Sequence, residues 1–172
     1  MTAHLFPDNT VLCNFASVHR LDLLRSVLNG NGRWTEAIAY EASRSAAYLP
    51  DLRTLASDGW LGEPIEFESD ADVAAVERLR RSAFGGTSDA PLQHLGEAQT
   101  CHLLLSRPEF AGAWWISDDR EALRFARFRG ITTWETSDLL ELAATNGDET
   151  PTVCRELREL IVQRGSISVH SS

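Results

Sequence analysis

Ala113-Trp114-Trp115-Ile116-Ser117-Asp118-Asp119 is the stretch on which the fold turns. Ala113 to Ser117 is a compact apolar run without polar alternation, as in a strand buried on both faces. Two carboxylates follow it at once. Glu121 to Arg129 then reads as a helix closed by Gly130, and Ile131 to Trp134 as a further strand. Strands that alternate with helices imply a parallel sheet with helices on both faces. In such sheets, sites form beyond the carboxyl ends of the strands. That rule selects which acids matter.

Upstream, His4 to Pro7 is a brief extended segment that ends at Asp8. Ser17 is expected to cap a helix carrying Val18, Leu21, Leu24, Val27 and Leu28, apolar at helical spacing and stopped by Asn29-Gly30-Asn31-Gly32. Thr35-Glu36 opens a second helix that carries Tyr40 and Glu41 and runs to about Ala47. Pro50 breaks it, and a short helix from Leu52 to Ala56 follows. Trp60 to Phe67 reads as a turn into a short strand. Asp70 is placed as the cap of a helix from Asp72 to Ala83. A loop at 85–91 leads to a helix from Leu95 to Leu105. Thr136 caps a helix to Ala144. A last helix spans Pro151 to Arg164, and Gly165 to Ser172 is expected to be a loose tail. The organisation is one domain over 1–164.

Composition bounds the function. The 172 residues suit one domain with a core of its own. No secretory leader and no stretch long enough to cross a bilayer is readable. Cys13, Cys101 and Cys154 are odd in number and far apart, which argues against a disulfide framework or a zinc site and for a cytoplasmic setting. The net charge is −9, which opposes nucleic-acid binding, since phosphate contacts supply most of its affinity. All 16 basic residues are arginine, suited to bidentate phosphate contacts.

Asp8 follows the first strand, and Asp118 and Asp119 follow the buried one, so all three belong to one sheet edge. Glu97 lies near the start of its helix. Glu41 is flanked by Ala39, Tyr40 and Ala42, which suggests that it faces inward. Gathered carboxylates repel one another and resist ionising together. A fold holds them close chiefly when a cation is present, and hard oxygen ligands suit Mg²⁺ or Mn²⁺. Taken singly, each acid is more often a helix cap or a solvated residue, and Asp118 and Asp119 both precede a helix.

Four strings resemble the motifs of PIN-domain proteins, in order. They are Pro7-Asp8-Asn9-Thr10-Val11-Leu12-Cys13-Asn14-Phe15, Ala37-Ile38-Ala39-Tyr40-Glu41-Ala42, Leu95-Gly96-Glu97-Ala98-Gln99-Thr100 and Ile116-Ser117-Asp118-Asp119-Arg120-Glu121-Ala122. The third is similar to the Leu-Gly-Glu-Ala-Glu helix of one VapC-like subgroup. The resemblance covers about residues 4 to 140. It implies a three-layer α/β/α sandwich around a mostly parallel sheet, and a metal-dependent endoribonuclease. Carried over by position, it makes Asp8, Glu41, Glu97 and Asp119 the acidic quartet, with Asp8, Glu97 and Asp119 as ligands of Mg²⁺ or Mn²⁺. Asp119 takes precedence over Asp118 because the family pattern is a small hydroxyl residue, any residue, then aspartate. Thr10, Asn14, Ser117 and Asp118 are supporting residues. Two departures stand out: Asn9-Thr10 where many members have Thr-Asn, and Gln99 in place of a second glutamate.

The resemblance also implies partners: an RNA substrate, an antitoxin protein if the chain is the toxin of such a pair, and a second copy. The stretch from Leu52 to Trp60 is the expected contact surface of that homodimer. The alternative class is a catalytically weak binding module whose acids hold a structural cation. A phosphoacceptor domain ranks below both, since it needs a lysine and the chain has none. His94, three residues before Glu97, reads as a local helix-start group. Trp34 and Trp60 read as packing residues. The arginine faces at Arg78-Arg80-Arg81 and Arg120-Arg124-Arg127 read as solvated.

Overall fold

The structure is a computed structural model that describes the backbone of residues 3–170 and the side chains of residues 3–164. It is mixed α/β. Three short parallel strands, β1 (Leu5–Pro7), β2 (Trp114–Ile116) and β3 (Thr132–Trp134), lie side by side in that order. Pro7 is level with Ile116, and Ile116 with Trp134. Two single parallel bridges, Leu5 to Gly32 and Thr35 to Ile65, continue the sheet beyond β1. The segment expected as a strand within 60–67 contributes only the second of these.

The spatial order is therefore the Ile65 segment, the 32–35 segment, β1, β2 and β3. The chain first winds outward from β1 in one direction and then restarts at β2 in the other. The crevice between the carboxyl ends of β1 and β2 is a topological switch point, where open parallel sheets place their sites.

Asp8 leaves β1 in extended geometry and caps helix α1 (Asn9–Ser17), its side chain accepting from the Val11 N–H. The sequence pattern predicts no helix here and a cap at Ser17. Ser17 instead closes α1, donating its hydroxyl to the Asn14 carbonyl. Val11, Leu12, Phe15 and Ala16 form the buried stripe that makes α1 amphipathic. Helix α2 (Leu21–Leu28) follows. Thr35 caps α3 (Glu36–Ser45) as expected. A 3-10 turn at Pro50–Thr54 leads to α4 (Leu55–Asp58). Ser69, one residue before the expected cap, accepts from the Asp72 N–H and opens α5 (Asp70–Ser82).

The remaining helices are α6 (Leu95–Ser106), α7 (Arg120–Phe128), α8 (Thr136–Asn146) and α9 (Pro151–His170). Glu135, not Thr136, is the N-cap residue of α8, and its N–H donates to Asp138. The last helix, expected to end at Arg164, continues in its backbone to His170, through most of the stretch expected as a loose tail; residues 171–172 lie outside the described residues.

Successive strand residues bury against different helices. Leu5 and Ile116 pack with residues of α1, α2, α3, α8 and α9. Phe6 packs with Val76 of α5 and with Ala98 and Leu103 of α6. Trp115 packs with Cys101 of α6 and with Ala122 and Ala126 of α7. This is the two-sided burial that the run at 113–117 predicts. Leu52 and Leu55, expected on a dimer surface, are buried at 3% and 2% exposure and belong to the first cluster. An apolar pair at turn spacing finds the chain's own core, so these two leucines are not exposed apolar surface, while Arg53, Thr54 and Ala56 to Gly59 are exposed. Among the described residues, no helix is long and apolar enough to cross a membrane.

Candidate acidic site at the switch point

Asp8 is held at the end of β1 by its own N–H, which donates to the Ile116 carbonyl of β2 at 2.9 Å. Its carboxylate is buried. One oxygen accepts from the Thr10 hydroxyl at 2.6 Å and the Val11 N–H at 3.2 Å; the other accepts from the Ser117 hydroxyl. Three donors occupy three of about four lone-pair directions. Even so, burial pushes the carboxyl up from 3.8 to about 6, with Glu97 adding repulsion.

Glu41 reaches the same pole from α3. Burial, with repulsion from Glu97 and Asp8, raises it from 4.5 to about 7, while the Gly96 N–H works to lower it. Position 96 has no room for a side chain. A Cβ there would stand 2.5 Å from Ile38 Cδ1 and 2.9 Å from Glu41 Oε1. The missing side chain lets α6 begin directly against the Glu41 carboxylate, and Glu97 is the next residue. His94 precedes α6 in a left-handed conformation, its Nδ1 3.6 Å from Glu97 Oε1. Asp8, Glu41 and Glu97 thus come together from β1, α3 and α6.

Asp119 stands at the same edge, but its Oδ1 caps α7, accepting from the N–H groups of Glu121 and Ala122. Ser117 links it to Asp8: the hydroxyl donates to Asp8 and accepts from the Asp119 N–H at 3.1 Å. Asp118 turns away from the pole. It accepts from the Thr136 N–H at 2.9 Å, the Thr136 hydroxyl and the Asn14 amide at 2.6 Å. Asn14 and Asp118 therefore tie α1 to the start of α8.

Two residues gain roles that their local sequence does not show. Buried Gln99 accepts from the Ala37 N–H and donates to Glu36, stitching α6 to the first turn of α3. A glutamate there cannot donate, and would set a second carboxylate against Glu36. Arg80 is not on a solvated face: it is 1% exposed. It pairs with Glu77 and donates to the carbonyls of Thr87, Ala90 and Gln93, holding down the loop that leads into α6.

No protein-family model, curated protein or solved structure matches this chain.

Among the described residues, no three His, Cys, Asp or Glu side chains are grouped tightly enough to enclose a metal ion as they stand. A small, hard cation that retains several waters needs only one or two direct carboxylates, and its charge relieves the repulsion at Asp8 and Glu41. Carboxylate oxygens are hard donors, the kind that suits Mg²⁺ or Mn²⁺ and not a soft metal.

Proposed function

We propose that the protein is a Mg²⁺- or Mn²⁺-dependent endoribonuclease with a PIN-like three-layer arrangement. The observation that carries this reading is the meeting of Asp8, Glu41 and Glu97, from three separate elements, at the switch point of a parallel sheet. A fold gains no stability from such a pole. Ionising Asp8 against a shift from 3.8 to about 6 costs about 3 kcal/mol at neutral pH.

Asp8 and Glu97 would hold the cation, with Asp119 contributing the oxygen left over from its capping bonds. When bound, the cation supplies Lewis acidity toward the phosphodiester and toward the attacking water. Ser117 and Thr10 orient Asp8 through their hydroxyls. Glu41, which lies beside Glu97 and Asp8, would accept a proton from the attacking water. Asn14 and Asp118 keep α1 and α8 in register behind the pole. The biological setting that accompanies this reading is the toxin of a toxin–antitoxin pair.

One alternative has an observation in its favour. Glu41 accepts from the start of α6 and Asp119 caps α7, as they would in a binding module whose acids serve structure and a structural cation. Cleavage of an RNA panel separates the two. Activity that needs Mg²⁺ or Mn²⁺, disappears with chelator and is lost in Asp8→Asn supports the nuclease. A folded, cation-binding protein that cuts none of the panel supports the module.

A further inference from the structure

Toward the amino end of β1, away from the acidic pole, lies an open pocket of about 770 Å³. Leu5, the first residue of β1, bridges Gly32 of the pocket lining, whereas Asp8 follows the last residue, Pro7. The pocket is framed by the end of α2, the turn at 29–33 and the turn at 59–63 after α4. Its lining holds two arginines, Arg25 and Arg33, against a single carboxylate, Glu63. In a chain of net charge −9 that is a local reversal of sign.

Neither arginine is compensated. Among the described residues, Arg25 and Arg33 form no ion pair and no side-chain hydrogen bond. Asp22, three residues before Arg25 on the same helix, bonds Arg20 instead. Glu63 is exposed and pairs with neither. Arg33 is half-buried; its guanidinium lies 5.6 Å from the Phe110 ring centre, and its Nε is enclosed without an acceptor. Gly62 makes room for it: the backbone there is left-handed, and a Cβ would stand 3.1 Å from Arg33 Nε. Holding a half-buried charge without a counter-charge is costly to a fold. A bound anion removes that cost.

The donors select the ligand. A guanidinium presents a fixed fork of N–H groups that matches phosphate oxygens, and two of them match a dianion. The N–H of Gly30, after the left-handed Asn29, has no acceptor among the described residues and adds a neutral donor. The negative end of the α2 dipole opposes an anion here, but it amounts to about half a charge against two guanidinium groups. Half-buried Trp60 is the one aromatic side chain in the lining. The volume is far more than one phosphate fills, and a flat ring beside Trp60 suits the remainder.

We propose that this pocket binds a nucleoside monophosphate, with Arg25 and Arg33 on the phosphate and the base against Trp60. The site is separate from the acidic pole, and the proposal does not rest on the nuclease reading.

The test is calorimetric titration of the full chain with adenosine monophosphate, adenosine and inorganic phosphate, in phosphate-free buffer with chelator. Chelator keeps a cation from carrying the nucleotide to the acidic pole. The nucleotide should bind about ten-fold tighter than adenosine or inorganic phosphate. Arg25→Gln and Arg33→Gln should each weaken it about ten-fold. Trp60→Phe should retain nucleotide binding, and Trp60→Ala should lower it to the level of inorganic phosphate; circular dichroism checks that each variant is folded. Asp8→Asn should bind the nucleotide as wild type does. Adenosine binding as tightly as the nucleotide overturns the proposal, as does wild-type affinity in both arginine variants, or no nucleotide binding at millimolar concentration. Loss of binding in folded Asp8→Asn also overturns it, by placing the nucleotide at the pole. Equal affinity for nucleotide and inorganic phosphate overturns the nucleoside and leaves a bare phosphate site.

Discussion

Asp8 and Asp118 occupy comparable places: each follows a strand end at the same sheet edge, and each carboxylate accepts three hydrogen bonds. Their surroundings differ. Asp118 is half-buried and is met by hydroxyl, amide and N–H donors from Asn14 and Thr136. Asp8 is buried, and Glu97 and Glu41 face it. Equal hydrogen bonding therefore does not make equal carboxylates. Donors compensate a charge locally, but they do not remove the cost of low solvation or of a second negative charge nearby. One acid is a fastening and the other is a standing cost, and standing costs mark functional sites more often than fastenings do.

The sharpest way to break this contrast is Asp8→Asn. Cleavage should fall about 1,000-fold, equivalent to about 4 kcal/mol of transition-state stabilisation, with thermal stability in chelator unchanged or raised. Glu63→Gln on the exposed surface is the control. Equal rates in the two purified, folded variants would remove Asp8 from the site.

Asp118→Ala should show the opposite profile. Thr136 and Asn14 lose their shared acceptor, and stability should drop by about 3 kcal/mol in urea melts. Cleavage per folded molecule should stay within several-fold of wild type. A large loss of rate without a loss of stability would move Asp118 from the fastening to the chemistry.

The contrast also has a pH signature. Asp8 is raised from 3.8 to about 6, so between those values the folded protein holds a proton that the unfolded chain has lost. Its contribution is fully present below about pH 4 and is lost as pH rises through 6. Glu41 repeats the pattern from 4.5 to about 7. In chelator, the stability advantage of Asp8→Asn over wild type should therefore grow from pH 4 to 6.5 and then level off, at up to about 3 kcal/mol. Added Mg²⁺ should shrink it. A gap of constant size across that range would mean that Asp8 is not a strained acid.

Gly96→Ala should give the smallest effect. Its Cβ meets Ile38 Cδ1 and Glu41 Oε1, so overpacking should cost about 1–2 kcal/mol. Cleavage should fall several-fold as Glu41 is displaced. Wild-type behaviour in both measurements would show that α6 can draw back from Glu41 without consequence.

Local patterns carried much of the fold. The apolar run at 113–117 is β2 and its flanking turns, buried through Trp115 and Ile116. The Thr35 cap, the helix end at Asn29 and the acids after β1 and β2 are all legible, because caps and periodicity are set within a few residues. The helix after Asp8 was missed: its polar opening, Asn9-Thr10, hides a stripe that begins only at Val11.

What the sequence by itself determined is most of the elements after Leu21 and which acids follow strand ends, since both follow from short-range pattern. Tertiary structure alone decided which carboxylate does what. Asp8 meets Ser117 across 109 residues, Asn14 meets Asp118 across 104, and Gln99 meets Ala37 across 62. It also placed Arg80 inside, Leu52 and Leu55 in the core, and a single N–H of Gly96 on Glu41. The reason is physical: a side chain's solvation and its charged neighbours are properties of the packed assembly, and segments a hundred residues apart share no local signal that records their meeting.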